Sequence, residues 1–167
     1  MGIEIERRFL VENEDWRSQS SILSEDFSQA YLNSSIDEWA TRVRVIDNKK
    51  ACITLKSSLS KLINYEFEYS IPTKDAIELI NLSKYKITKT RYQLKTNKKD
   101  WIVDLFHGSN SPLKIAEIEL NSESEEIEVP SWCGQEITGM KSLSNASLAK
   151  TPISKLSVKD RMQFKES

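Results

Sequence analysis

Ile3-Glu4-Ile5-Glu6-Arg7-Arg8-Phe9-Leu10-Val11, close to the amino terminus, is the stretch from which the rest of the chain reads. In an extended strand alternate side chains share a face. Glu4, Glu6 and Arg8 therefore stand together, while Ile3, Ile5, Arg7 and Phe9 point the other way. Neighbouring carboxylates on one strand repel each other and gain little from packing, but they suit a hard divalent cation that takes oxygen ligands. A solvated surface strand shows the same alternation, so the reading depends on whether the arrangement recurs.

It recurs along the chain. Residues 39–46 place Arg42 and Arg44 on one face and Val43 and Val45 on the other. After a turn at Asp47-Asn48-Lys49-Lys50, residues 51–56 set Cys52, Thr54 and Lys56 against Ile53 and Leu55. Glu66 and Glu68 repeat the acidic pair within 62–71, Lys89 and Arg91 pair within 85–94, and Glu117 and Glu119 pair within 113–120. Asp104 interrupts the apolar run 100–106, and a carboxylate in such a run needs a partner. With 28–33 these segments make about eight strands joined mostly by short turns, which predicts an antiparallel meander.

Between them, 12–26 reads as a polar loop anchored by Trp16 and Ile22. Residues 72–80 switch to helical spacing, with Thr73 as N-cap and Ala76, Ile77 and Ile80 on the packed side. The tail, about 142–167, reads as short helices around 144–149 and 156–165 within a single domain spanning 1–167.

Composition narrows the function classes. With 24 basic and 25 acidic side chains, overall charge gives no support to a nucleic-acid partner. Cys52 and Cys133 form neither a C-x-x-C motif nor a Cys/His cluster, which predicts no zinc site and agrees with a reducing, cytoplasmic setting. No apolar run approaches the roughly 20 residues a spanning helix needs, so no membrane association is expected.

The polar face is fully charged at nearly every position, and its signs come in same-sign pairs. Such pairs predict separate acidic and basic zones rather than a salt-bridged surface. If the strands curl into a barrel, eight of them enclose room for one small ligand, and a charged interior is costly to desolvate without one. Six basic and seven acidic side chains, joined by divalent cations, call for a small polyanion such as a triphosphate.

The ordered series Glu4-x-Glu6-x-Arg8, Arg42-x-Arg44, Lys56, Glu66-x-Glu68, Lys89-x-Arg91, Asp104 and Glu117-x-Glu119 resembles the CYTH superfamily of triphosphate tunnel metalloenzymes. The strings Thr88-Lys-Thr-Arg-Tyr92, Trp101-Ile-Val-Asp-Leu-Phe-His-Gly108 and Ala116-Glu-Ile-Glu-Leu120 carry it further. The resemblance implies an α+β fold with an eight-stranded antiparallel β-barrel, a triphosphate tunnel, flanked by helices. It implies Mg²⁺ or Mn²⁺ held by Glu4, Glu6, Glu117 and Glu119, with Glu66, Glu68 and Asp104 serving a second metal or its waters. Arg8, Arg42, Arg44, Lys56, Lys89 and Arg91 would hold the phosphates, with Arg8 and Lys56 the candidates for catalytic contacts. The expected reaction is hydrolysis of inorganic tripolyphosphate to pyrophosphate and phosphate. Class IV adenylate cyclase, thiamine triphosphatase and a non-catalytic polyphosphate or nucleotide binder are the alternatives.

The general base stays open among Lys56, a carboxylate and a water carried by the metal. Arg8 stands where the family usually has Lys, and Met140-Lys141-Ser142-Leu143 departs from the family's usual Asp and Arg-Tyr before Ser144-Asn145. Asn145 reads equally as a helix cap or a ligand contact, and Tyr31 and Thr54 either face the tunnel or pack. His107 lies in a turn with no triad around it, and the four tryptophans are expected in the core or tunnel wall. The apolar outer faces require cover from helices or from a second copy, and a homodimer is expected on that ground.

Overall fold

The computed structural model describes residues 2–18, 22–33, 39–96 and 98–156. Within them the chain forms β1 (Glu4–Val11), β2 (Ile22–Tyr31), β3 (Ala40–Ile46), β4 (Lys50–Ser58), β5 (Ile63–Ser70), helix α1 (Thr73–Leu82), β6 (Tyr85–Leu94), β7 (Trp101–Phe106), β8 (Lys114–Glu119), β9 (Cys133–Glu136) and helix α2 (Asn145–Lys150). The sheet runs β5-β4-β3-β2-β6-β7-β8-β1 with antiparallel neighbours, and β5 pairs again with β1. That last pairing closes an eight-stranded barrel, the expected α+β architecture. Asp47 and Asn48 adopt φ of 50° and 56° in the β3–β4 turn, the left-handed pair that matches the twist of a tight hairpin.

Closure is shared on one edge of β1. Glu4 and Ile5 pair with Asn64 and Ile63 of β5, while Phe9 and Val11 further along pair with Glu136 and Cys133 of β9. β9 had no signal in the sequence: it has four residues and a glycine at Gly134, and the exposed backbone of β1 recruits it. The other edge of β1 pairs with β8 from Glu6↔Glu119 to Leu10↔Ile115.

Three expectations are corrected. Residues 22–26 are strand rather than loop, because Ile22 to Asp26 pair with Leu94 to Thr90 of β6. Thr73 is not the N-cap of α1; Pro72 holds that position without a side-chain bond, and the Thr73 hydroxyl donates to Lys49 O at 3.3 Å. Ile77 is exposed, and α1 instead packs through Ala76 and Ile80 onto Ala30, Val43, Val45 and Ala51 on the outside of the barrel.

The outside of β1, β7 and β8 is covered by Trp16, Trp132 and Leu120, which pack on Phe9, Trp101 and Ile118. Trp39 is the exception among the tryptophans: it is exposed and stacks on Tyr65 of β5 with ring centres 6.4 Å apart. At the Leu10 end of the barrel the inward positions become apolar. There Leu10, Ile87 and Phe106 pack against Leu143, Leu148 and Ile153 of the tail. Ser144 caps α2 by accepting from Ser147 N–H at 3.2 Å, and buried Asn110 pins the tail, donating to Leu148 O (3.2 Å) and accepting from Ile153 N–H (3.0 Å). The helix expected over 156–165 lies outside the described residues apart from its first position. No helix among the described residues is long and apolar enough to cross a membrane.

Candidate active site

The barrel encloses a cavity of about 410 Å³, within the roughly 300–1,000 Å³ range of small-molecule sites. Nine of the thirteen charged side chains singled out in the sequence line it: Glu4, Glu6 and Arg8 of β1, Arg42 and Arg44 of β3, Lys56 of β4, Glu66 of β5, Arg91 of β6 and Glu117 of β8. The tail adds a wall from Thr138 to Ala146, and Tyr31 and Asn64 also line the cavity.

The same-sign pairs along each strand become opposite-sign pairs across strands, because register sets β1 against β8, β4 against β5 and β6 against β7. Arg8 lies opposite Glu117, Lys56 opposite Glu66, and Arg91 opposite Asp104. The expectation that these side chains escape salt bridging is corrected accordingly. Arg8 Nε donates to Glu117 Oε1 at 3.1 Å, and its Nη2 donates to Leu143 O at 3.2 Å, tying the site to the tail. Arg91 donates to both oxygens of Asp104 at 2.8 and 2.7 Å and to Glu117 Oε2 at 2.7 Å. Burial alone would raise the Glu117 carboxyl; the Arg91, Lys89 and Arg8 cations outweigh it and hold Glu117 well below the usual carboxylate range.

One region keeps unspent positive charge. Arg44 is buried, and among the described residues no carboxylate lies within ion-pair distance of it. Its Nε donates to Gln29 Oε1 at 3.2 Å and its guanidinium lies 4.7 Å from the centre of the Phe27 ring. Burial and the adjacent Arg42 and Arg91 cations pull Arg44 down to about 10. Arg42 donates to Thr54 Oγ1 at 3.0 Å, and the Thr54 hydroxyl in turn donates to Glu68 Oε2 at 2.9 Å, so Thr54 faces inward. The Nε of Arg42 is buried without a partner among the described residues. A cation lacking a counter-ion beside an orphaned donor is a place for an anion.

The opposite pole carries surplus negative charge. Glu4, Glu6 and Glu66 converge on the Lys56 ammonium: Lys56 contacts Glu4 directly, Glu66 Oε2 at 3.3 Å and Glu6 Oε1 at 3.4 Å. Burial would lower Lys56, but the Glu6, Glu4 and Glu66 carboxylates overcome it and hold the group above its ordinary value. Burial, with Glu6 and Glu66 adding to it against Lys56, pushes Glu4 up to about 7. Glu6 also faces Glu119 directly across β1 and β8, an unfavourable like-charge pairing. Among the described residues no group of three ligating side chains is spaced as a ready metal cage. Crowded carboxylates around one resident cation nonetheless fit a hard divalent ion by donor chemistry.

Four expected site residues do not line the cavity. Lys89 and Asp104 are sealed from solvent against one another, with Asp104 also held by Arg91. Glu68 sits behind Thr54, and Glu119 is exposed. Asn145 is not the cap of α2; its Oδ1 is buried without a partner and the residue lines the cavity. Gln29, fully buried between Arg44 and Tyr31, was missed in the sequence because an uncharged inward residue carries no pattern. His107 bonds Thr90 at 2.8 Å, with Asp26 accepting from Thr90 at 2.7 Å, away from the cavity.

A closed antiparallel barrel whose interior is cationic at one pole and acidic at the other has the charge layout to receive a small polyanion beside cations. Residues 2–152 match the CYTH domain, and the chain belongs to that family. It is 36% identical over 154 residues to an inorganic triphosphatase of Acetivibrio thermocellus, covering 91% of this chain and 96% of that one. An inorganic triphosphatase of Nitrosomonas europaea is 31% identical over 150 residues, covering 87% and 96%. The crystal structure of the inorganic triphosphatase NE1496 superimposes with a TM-score of 0.65 at 30% identity, covering 87% of this chain and 93% of that one.

Proposed function

We propose that the protein hydrolyses inorganic triphosphate to pyrophosphate and phosphate within its barrel, aided by Mg²⁺ or Mn²⁺. The observation that carries this reading is the buried Arg44, which has no carboxylate within ion-pair distance among the described residues, set beside Arg42, whose Nη2 faces Glu66 and Glu68 at 3.6 and 3.5 Å while its Nε has no partner among them. Both relatives' names agree with it. Arg42, Arg44, Arg91 and Arg8 hold the phosphate oxygens by fork-shaped contacts and offset the charge spread over them in the transition state. Lys56, already cationic, serves the oxygens nearest the acidic pole. Glu4, Glu6 and Glu66 would hold a divalent cation, with Glu117 at their flank and Glu119, opposite Glu6 but outside the cavity, beyond them. When bound, that ion polarises phosphate oxygens and lowers the charge repulsion met by an attacking water. A reducing cytoplasmic setting belongs to the same reading, and the two free thiols, Cys52 and Cys133, agree with it.

The test is phosphate release with Mg²⁺ or Mn²⁺ across tripolyphosphate, ATP and thiamine triphosphate, with ATP products separated. Release from tripolyphosphate that needs the metal and is abolished by Glu4→Gln is expected. Cyclic AMP with pyrophosphate would make the protein a cyclase instead, preference for thiamine triphosphate would change the substrate, and binding without turnover would leave a binding module.

A further inference from the structure

Strand β2 lies between β3 and β6, which present Arg42, Arg44, Lys89 and Arg91 to the interior. Its own three consecutive inward residues there, Phe27, Gln29 and Tyr31, are uncharged and buried. Each nevertheless touches the cations. The Phe27 ring lies 4.7 Å from the Arg44 guanidinium and 5.2 Å from that of Arg91. Gln29 lies opposite Arg44 in the register and Tyr31 opposite Arg42.

The Gln29 carboxamide is used at both ends. Its Oε1 accepts from Arg44 Nε at 3.2 Å, and its Nε2 donates to the Tyr31 hydroxyl oxygen at 3.2 Å. Arg44 has no acceptor of its own, so the amide cannot be reversed without setting N–H against N–H. Tyr31 oxygen, already accepting, keeps its proton for a further acceptor, and Tyr31 lines the cavity. A carboxylate at position 29 would also orient Arg44, but it would cancel its charge. The carboxamide fixes the guanidinium and leaves its field available to a ligand.

We propose that Gln29 is a positioning residue that aims Arg44 without neutralising it. The inference rests on the triphosphate reading above and extends it to one residue of β2.

Q29E and Q29M test it, read by KM and kcat for tripolyphosphate with Mg²⁺ and by thermal melting of the ligand-free protein. Q29E supplies Arg44 with a counter-ion, so it should melt at or above the wild-type temperature while KM rises by roughly tenfold or more. Q29M leaves Arg44 unheld, so it should melt lower than Q29E yet bind better than Q29E. The best-folded variant at position 29 is thus expected to be the poorest binder, an order that a purely structural role would not produce. A KM for Q29E within twofold of wild type, or a loss of binding that follows loss of stability, overturns the positioning role while wild-type turnover stands. A wild-type protein that neither binds nor hydrolyses tripolyphosphate overturns the function reading, and this inference falls with it.

Discussion

Arg91 and Asp104, opposite one another in the β6–β7 register, are joined by two parallel hydrogen bonds of 2.8 and 2.7 Å, and Asp104 is sealed from solvent. The same carboxylate faces Lys89, so one buried anion is shared by two basic side chains, while Arg91 also reaches Glu117 and burial pulls Lys89 down to about 7.

Asp104→Asn keeps the shape and removes that anion, leaving buried Lys89 without its carboxylate and Arg91 with Glu117 alone. Breaking a buried pair by removing one partner costs about 3–5 kcal/mol. The midpoint of urea unfolding should fall accordingly, and tripolyphosphate should recover part of the loss by supplying negative charge nearby. A midpoint equal to that of wild type would show that Asp104 is not the counter-ion of this pair.

Glu117 gives the pH dependence. Its folded carboxyl sits below the ordinary value of 4.5, so the unfolded chain takes up the proton first as pH falls. The stability it contributes is therefore complete above pH 4.5 and is lost on acidification below it. Denaturant unfolding of wild type and Glu117→Gln across pH 2 to 6 should show a flatter acid limb in the variant, and parallel limbs would contradict the assignment.

Lys56 separates the two poles. Lys56→Met leaves Glu4, Glu6 and Glu66 facing one another without their shared cation. Calorimetric titration should find tighter Mn²⁺ binding in the variant, while tripolyphosphate hydrolysis drops on the order of 10²-fold, as for loss of one transition-state donor. Weaker Mn²⁺ binding would mean that Lys56 does not compete with the metal for these carboxylates.

The tail is secured by apolar burial. Leu148 is almost wholly buried among Leu143, Phe106 and Ile153. Leu148→Ala should cost about 2–5 kcal/mol. Because Leu143 O also holds Arg8, KM should rise as well. Unchanged stability would place the tail's anchorage elsewhere, at Asn110.

The two-residue alternation made the inward face legible, since Glu4, Glu6 and Arg8 share a side whatever they pair with. What alternation cannot convey is register. Whether Arg8 meets Glu117 or another carboxylate depends on how β1 slides against β8, and that is set by distant apolar contacts such as Phe9 with Ala116. Thus the members of the site were readable while their pairings were not. Ser24, Glu25 and Asp26 look like turn formers, yet the long β6 partner draws them into strand, a tertiary override of local preference. Gln29 stayed hidden for another reason: its role comes entirely from the charges of its neighbours.

The short seam between β1 and β5 bears on motion. Only Glu4 and Ile5 are paired there in register, helped by Gly2 N–H donating to Glu66 O at 3.2 Å and Glu6 N–H to Leu62 O at 3.1 Å. Lys56, one strand further on, reaches across β5 to Glu4 and Glu6, acting as a clasp over this join. A charge redistributed among these carboxylates is therefore expected to tighten or loosen the join, which would couple filling of the barrel to opening of its seam. The Glu6 and Glu66 amides should exchange with solvent at rates that report whether the chamber is filled.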